Sequence, residues 1–294
     1  KGEAMGLAVM TELPMVIINV QRGGPSTGLP TKTEQSDLVQ ALYGRNGEAP
    51  IPLIAAATPG DCFYAAYEAS RIALKYMTPV VLLTDGYLAN GSEPWKIPDV
   101  DSMESIDVQF VDGLKEGEEF MPYKRDEDTL SRPWAIPGVP GLEHRVGGLE
   151  KAENTGHVSY DPDNHQRMVE LRQEKVDRIQ NDIAKTEVFG EENGDVLILS
   201  WGGTYGSCRS AVETLHDQGK SVSHVHVRWI SPLPKDLGEI IIKFKNVLIP
   251  EINMGQLIKI IRSEYLVDAK GLNQVNGKPI SASRIVEKVN EMVG

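Results

Sequence analysis

The sequence predicts an α/β protein made of two doubly wound parallel-sheet domains joined by a long ordered connector. Three observations carry that expectation. Short apolar runs alternate with segments of helical period between residues 15 and 84. The same alternation returns between residues 195 and 263. Alternation of this kind builds parallel sheets covered by helices. Between them, from Glu93 to about His165, the periodicity dissolves into a stretch rich in proline and acidic residues. The predicted boundaries are 1–98 for the first domain, 99–190 for the connector and 191–294 for the last domain.

Residues 2–13 hold Met5, Leu7, Ala8 and Val9 without a breaker and read as a short helix that Pro14 stops. Met15–Val20 is uninterrupted and apolar, the mark of a strand buried in a parallel sheet. It opens into Gln21-Arg22-Gly23-Gly24-Pro25-Ser26-Thr27-Gly28-Leu29-Pro30-Thr31, a loop at the carboxyl end of a strand, where open α/β sheets bind ligands. Thr33 reads as the N-cap of a helix over about 34–43, ended by Gly44 and Gly47. Leu53–Ala57 is the next strand. A helix follows from the Thr58-Pro59-Gly60-Asp61 cap to about Met77, and then a strand at Val80–Thr84. Strand ends at Gln21, Thr58 and Asp85 should line one edge.

In the interruption, Phe110, Phe120, Trp95, Trp134 and Tyr160 are too many large apolar groups for a solvated tether. It reads as an ordered excursion over the first domain or over a partner chain. Met168, Leu171, Val176, Ile179 and Ile183 set a helix over 164–185, with Asn164-His165 as its cap and its charged residues on a solvated face. The last domain reads as strands at Asp195–Ser200, Ser221–Arg228 and Asn246–Pro250. Its helices fall at 207–218, 235–243, up to about Ser263, and 281–292.

The 294 residues carry a net charge of −12, which argues against nucleic-acid or anionic-membrane partners, since both need a basic footprint. No apolar run approaches the roughly 20 residues that span a bilayer. Cys62 and Cys208 are too few and too far apart for a metal or redox motif and read as separate thiols in a reducing cytoplasm. The start at Lys1, without signal-peptide character, initiator Met or a leading strand, is read as the rear part of a longer chain.

Arg22 offers a planar fork of donors suited to a carboxylate or phosphate, or else to a structural ion pair. The dense glycines beside it, and the lack of a nearby acid before Glu34, favour the anion site. Gly202-Gly203-Thr204-Tyr205-Gly206 lacks the first glycine of a dinucleotide motif, and reads as a tight turn with room for a small anion at a helix N-terminus. Asp85-Gly86 with Asn90 has too short a spacing for a magnesium–diphosphate motif and reads as a strand-end turn. His224 and His226 alternate on one strand face and could pair, while no histidine shows metal-site spacing.

Val20–Leu38, with Arg132-Pro133-Trp134-Ala135-Ile136-Pro137-Gly138, Gly141–Arg145 and Val158–Pro162, resembles the alpha subunits of 2-oxoacid:ferredoxin oxidoreductases, closest to the 2-oxoglutarate enzymes. The resemblance spans the whole chain, with Pro250-Glu251-Ile252-Asn253-Met254-Gly255-Gln256-Leu257 as its signature in the last domain. It implies part of a thiamine-diphosphate pyrimidine-binding domain followed by a transketolase C-terminal-like domain. It implies oxidative decarboxylation of 2-oxoglutarate with coenzyme A to succinyl-CoA, CO2 and reduced ferredoxin. By the same resemblance Arg22 binds the 2-oxoacid C1 carboxylate, Thr27 lies in that pocket, and Gly23, Gly24 and Ser26 border the cofactor. Thiamine diphosphate is shared with a beta subunit, which holds the Mg2+ and a 4Fe-4S cluster, and this chain holds no metal. The family's catalytic glutamate is absent from these residues, so the chain alone is expected to be inactive. A pyruvate or branched-chain 2-oxoacid enzyme and a non-catalytic scaffold subunit stand as alternatives. A transketolase or deoxyxylulose-phosphate synthase lacks the opening motif.

Overall fold

The computed structural model describes residues 2–294. In chain order the first unit comprises α1 (Gly2–Thr11), β1 (Met15–Gln21), α2 (Leu38–Tyr43), β2 (Leu53–Ala55), α3 (Asp61–Tyr76), β3 (Pro79–Asp85) and α4 (Gly86–Asn90). The connector adds β4 (Phe110–Val111), β5 (Trp134–Ala135) and α5 (Pro162–Arg178). Then come β6 (Val188–Phe189), β7 (Gly194–Ser200), α6 (Tyr205–Asp217), β8 (Val222–His226), β9 (Trp229–Ser231), α7 (Leu237–Ile241), β10 (Phe244–Glu251), α8 (Leu257–Tyr265), β11 (Lys270–Asn273) and α9 (Ala282–Val293). The fold is α/β with two main sheets, ordered β1-β3-β2-β9 and β11-β10-β7-β8-β6, and a two-stranded β4-β5 ribbon in the connector. Strands β1, β2 and β3 run parallel, as do β7, β8, β10 and β11.

Several expectations change. Among the described residues β1 is an edge strand and not the buried one expected, with Ile18 58% and Val20 51% exposed. Thr33 is not an N-cap: α2 starts only at Leu38, and the segment before it is irregular. The strand expected over Ser221–Arg228 is β8 and ends at His226, and the chain then crosses to pair β9 antiparallel with β2 in the first sheet. The second sheet starts at β6, whose two residues are too short to carry a period. The core is correspondingly continuous: one cluster takes Leu53 and Leu83 from the first sheet and Leu199, Val227 and Ile249 from the second half. Each such side chain contributes about 1.5–3 kcal/mol by burial.

The connector lies over the first unit. Phe110 and Trp134 stack with ring centroids 5.0 Å apart where β4 pairs with β5. Three connector cations gather at the carboxyl end of α1, where unpaired carbonyls and the helix dipole favour positive charge. Arg132 donates Nε to the Thr11 and Glu12 carbonyls at 3.2 Å each, and Lys151 donates Nζ to the Met10 carbonyl at 3.0 Å. Arg125 takes both oxygens of the buried Glu12, at 2.7 and 2.5 Å.

α5 is capped by Asp161, whose carboxylate accepts from the Asn164 N–H at 2.7 Å, and not by Asn164 itself. Asn164 instead bridges the Lys151 carbonyl and the Glu153 N–H. The charged face of α5 is only partly solvated. Lys175 is buried against Glu12, and Arg172 is buried beside Glu150. Flanked by two cations, the Glu12 carboxyl is held down to about 2 despite its burial, whereas burial pushes the Lys175 ammonium down to about 8. No described helix is long and apolar enough to cross a membrane.

Candidate active site

β1 ends in Gln21, level with Asp85 at the end of β3. Gln21 is buried, donates Nε2 to the Thr84 carbonyl at 3.2 Å and accepts from the Asp37 N–H at 3.0 Å. The loop that follows is closed at its neck: the Gly23 N–H donates to the Lys32 carbonyl at 2.9 Å, and the Leu29 N–H donates to the Gly23 carbonyl at 3.0 Å. Only glycine fits at Gly28, where a Cβ would stand 2.2 Å from the Gly23 carbonyl oxygen. Sequence composition suggested close backbone approach to a ligand; the structure shows that Gly23 and Gly28 serve first to let the loop fold on itself.

Arg22 projects from this loop and is exposed. Its Nη1 donates to the Thr27 carbonyl at 3.2 Å, and it makes no ion pair among the described residues. The predicted pair Arg22 and Thr27 is thus brought together, through the Thr27 backbone rather than its hydroxyl. Ser26 and Thr27 are exposed, and their hydroxyls make no hydrogen bond among the described residues. Gly24 is exposed and Gly23 is buried in the neck. A free guanidinium with short hydroxyls around it can seat a carboxylate.

The loop leaves at Thr33, whose hydroxyl donates to Asp85 Oδ1 at 3.0 Å. Asp85 also accepts from the Tyr87 and Leu88 N–H groups, capping α4, and from the Gly203 N–H at 3.0 Å. Burial pushes its carboxyl above the ordinary range, while these four donors pull it back. The anion at the N-terminus of the Gly202–Gly206 turn is therefore the protein's own Asp85. A Cβ on Gly203 would lie 2.5 Å from Asp85 Oδ2, so glycine is required by that carboxylate and not by a nucleotide.

Beyond Thr33, the strap of residues 33–37 threads between the two sheets. The Gln35 N–H donates to the Ile252 carbonyl at 3.2 Å and its Nε2 to the Trp201 carbonyl at 2.8 Å. Asn253 Nδ2 donates to the Gln35 carbonyl at 2.8 Å and to Glu251 Oε1 at 3.0 Å. Glu251 is fully buried, accepts the Leu257 and Ile258 N–H groups at the start of α8, and has its carboxyl pushed up by burial. The Glu251–Gln256 signature thus clasps the segment that carries the candidate site. Sequence reasoning missed this: the polar residues Glu251, Asn253 and Gln256 after an apolar strand are visible, but their partner Gln35 lies more than 200 residues away.

His224 and His226 do pair, through Ser200: its hydroxyl oxygen lies 2.6 Å from His224 Nε2 and 2.8 Å from His226 Nδ1. Burial lowers His224 to about 4 and His226 to about 3, with Arg209, and with His224 and Arg228, adding to the effect. Both are neutral near pH 7. They border a cleft of about 500 Å³ that none of residues 22–32 lines. Cys208, beside Ser200, is buried and pushed well up, and Cys62 is pushed up by burial, as expected of unreactive thiols.

Residues 1–161 match the family model for the thiamine-diphosphate-binding region of pyruvate flavodoxin/ferredoxin oxidoreductase, and residues 194–285 match core domain II of pyruvate:ferredoxin oxidoreductase. The chain is similar to 2-oxoglutarate oxidoreductase subunit KorA of Mycobacterium tuberculosis, 51% identical over 97% of this chain and 43% of that protein. It is also similar to 2-oxoglutarate synthase subunit KorA of Archaeoglobus fulgidus, 30% identical over 98% of this chain and 74% of that one. It superposes with a TM-score of 0.92 on 2-oxoglutarate:ferredoxin oxidoreductase from Magnetococcus marinus, solved with 2-oxoglutarate, coenzyme A and succinyl-CoA bound. That chain is 34% identical and is covered over 51% of its length, against 100% of this one. The chain therefore spans about half the length of several relatives it matches.

Proposed function

This chain belongs to the 2-oxoacid:ferredoxin oxidoreductase family, and from that premise we propose that it forms part of the alpha subunit of a 2-oxoglutarate-oxidising enzyme. In the reaction, 2-oxoglutarate loses its C1 carboxylate as CO2, the remaining acyl carbon forms a thioester with coenzyme A, and two electrons pass to ferredoxin. The observation that supports this reading is Arg22: an exposed guanidinium, without an ion pair among the described residues, held at the carboxyl end of β1 by a loop that is itself closed and anchored. Its fork orients the substrate carboxylate by charge-assisted hydrogen bonds. The free Ser26 and Thr27 hydroxyls complete that wall. Because Arg22 is exposed, the carboxylate is held at the rim, where CO2 can depart.

Thiamine diphosphate, when bound, supplies the nucleophilic carbon and the electron sink of such a reaction. The residues here fit one side of it. Gly24 and the exposed hydroxyls offer a low, polar wall that a cofactor can pass closely. Asp85 offers no magnesium ligand, since protein donors already occupy its carboxylate. On this reading the diphosphate, Mg2+ and a 4Fe-4S cluster are held by a beta subunit, and these residues alone are expected to be inactive. The assembled enzyme works in a reducing cytoplasm with coenzyme A and ferredoxin.

A pyruvate or branched-chain preference is the second reading, and the pyruvate enzymes named in both matching family models favour its pyruvate form. The complete enzyme assayed on 2-oxoglutarate, pyruvate and 2-oxoisovalerate separates them. The expected result is a kcat/KM for 2-oxoglutarate about tenfold or more above the others. A higher value for pyruvate or 2-oxoisovalerate replaces the substrate assignment. Normal assembly with no turnover of any 2-oxoacid favours a scaffold subunit.

A further inference from the structure

Glu34 is a buried carboxylate, 5% exposed, with no ion-pair partner among the described residues. A buried charge costs stability unless its oxygens are used. Here they are used on the site loop. Glu34 Oε2 accepts the Gly24 N–H at 3.3 Å and the Ser36 hydroxyl at 2.9 Å. Gly24 lies two residues from Arg22, so this bond limits where the Arg22 backbone can stand. Glu34 also lies against the neck of the loop: a Cβ on Gly23 would just touch its Oε1, at 3.5 Å.

Ser36 is in turn held by the second half of the chain. Gln256, immediately before α8, donates Nε2 to the Ser36 carbonyl at 2.7 Å and accepts the Val39 N–H on its Oε1 at 3.0 Å. A continuous path therefore runs from Gln256 through Ser36 and Glu34 to Gly24 and the loop bearing Arg22. The second half touches the loop elsewhere too: a Cβ on Gly277 would lie 2.9 Å from Lys32 Cβ and 3.2 Å from Leu29 Cδ1.

We infer that Glu34 is a positioning residue for the substrate-carboxylate site, and that Gln256 sets Glu34 from the second sheet. The inference rests on the reading of Arg22 as the carboxylate ligand. Neither Glu34 nor Gln256 touches the substrate. They fix the backbone from which Arg22 reaches it, so their loss should weaken 2-oxoacid binding and leave the coenzyme A and ferredoxin half-reactions intact.

The test uses the complete alpha subunit assembled with its beta partner. Glu34→Ala should raise KM for 2-oxoglutarate roughly tenfold, about the worth of one charge-assisted hydrogen bond, with kcat changed far less. KM for coenzyme A should stay unchanged. Glu34→Gln, whose amide oxygen still accepts from Gly24, should recover most of the loss. Gln256→Ala should shift KM in the same direction by roughly threefold, and the double variant should fall short of the product of the two. Should Glu34→Ala fail to fold, Ser36→Ala and Gln256→Ala are read on the same KM. A lowered melting temperature with KM at the parent value in these variants overturns the inference. Arg22→Ala, run in parallel, separates the two claims. If it leaves 2-oxoglutarate kinetics unchanged, the Arg22 reading fails. If it impairs them while the Glu34 and Gln256 variants behave as the parent, only the positioning role fails.

Discussion

Arg22→Ala in the assembled enzyme should lower kcat/KM for 2-oxoglutarate roughly 30- to 900-fold. That corresponds to about 2–4 kcal/mol of transition-state binding, as expected for a lost charged pair of hydrogen bonds at a carboxylate. The effect should be large because, among the described residues, Arg22 has no ion-pair partner and makes one side-chain hydrogen bond, to the Thr27 carbonyl. The folded state should be unaffected, since the side chain is exposed and contributes no packing. Arg22→Lys should recover charge without the fork and fall between the two. Steady-state kinetics with 2-oxoglutarate varied at saturating coenzyme A check this. A variant with parent kcat/KM removes Arg22 from substrate binding.

Glu12→Ala should be the most destabilising single change in the ion network between α1 and the connector. It leaves Arg125 and Lys175 buried with no counter-charge, which costs about 3–5 kcal/mol. Lys175→Met should cost less. Its ammonium is already pushed down by burial, and Arg125 still neutralises Glu12 through two bonds. The pH dependence follows from Glu12 itself. Its carboxyl stands at about 2 when folded against an ordinary 4.5. Stability from this group is complete above pH 4.5 and is lost as pH falls towards 2, because the unfolded chain takes up the proton first. Urea unfolding of the full-length protein between pH 2.5 and 7 should show that slope, and Glu12→Ala should reduce it. Equal midpoints for parent and variant at pH 7 would falsify the assignment of Glu12 as the centre of this network.

Those two residues also mark what was and was not legible in the sequence. The placement of Arg22, exposed and beside Thr27, was legible because its surroundings are local: a strand, a run of glycines and hydroxyls, and no acid close by in sequence. The parallel strands β1, β3, β7 and β10 were legible because each carries a short run of consecutive apolar residues bounded by polar residues or breakers. Glu12 was not, because its partners Arg125 and Lys175 lie more than a hundred residues away and look like ordinary solvated charges. Thr33 misled for a related reason. A threonine before a helical pattern is a good cap locally, but Asp85 competes for its hydroxyl from another strand. Asp85 likewise filled the turn at Gly203 that looked open to a small anion. The clasp at Gln35 and Asn253 is legible only once two sheets are known to face one another.

The crossing of β9 into the first sheet bears on how the chain comes off the ribosome. Leu53 pairs with Ser231, so the first sheet cannot be finished until residues far beyond the connector have been made. Until then β2 presents an open strand edge, the kind of template that recruits other chains. Pairing so distant in sequence also makes for slow acquisition of the native state. Two halves that look separable along the sequence should therefore melt together. A single calorimetric transition for residues 1–294, with calorimetric and van't Hoff enthalpies equal, is the expected result, and two resolved peaks would show the halves to be independent.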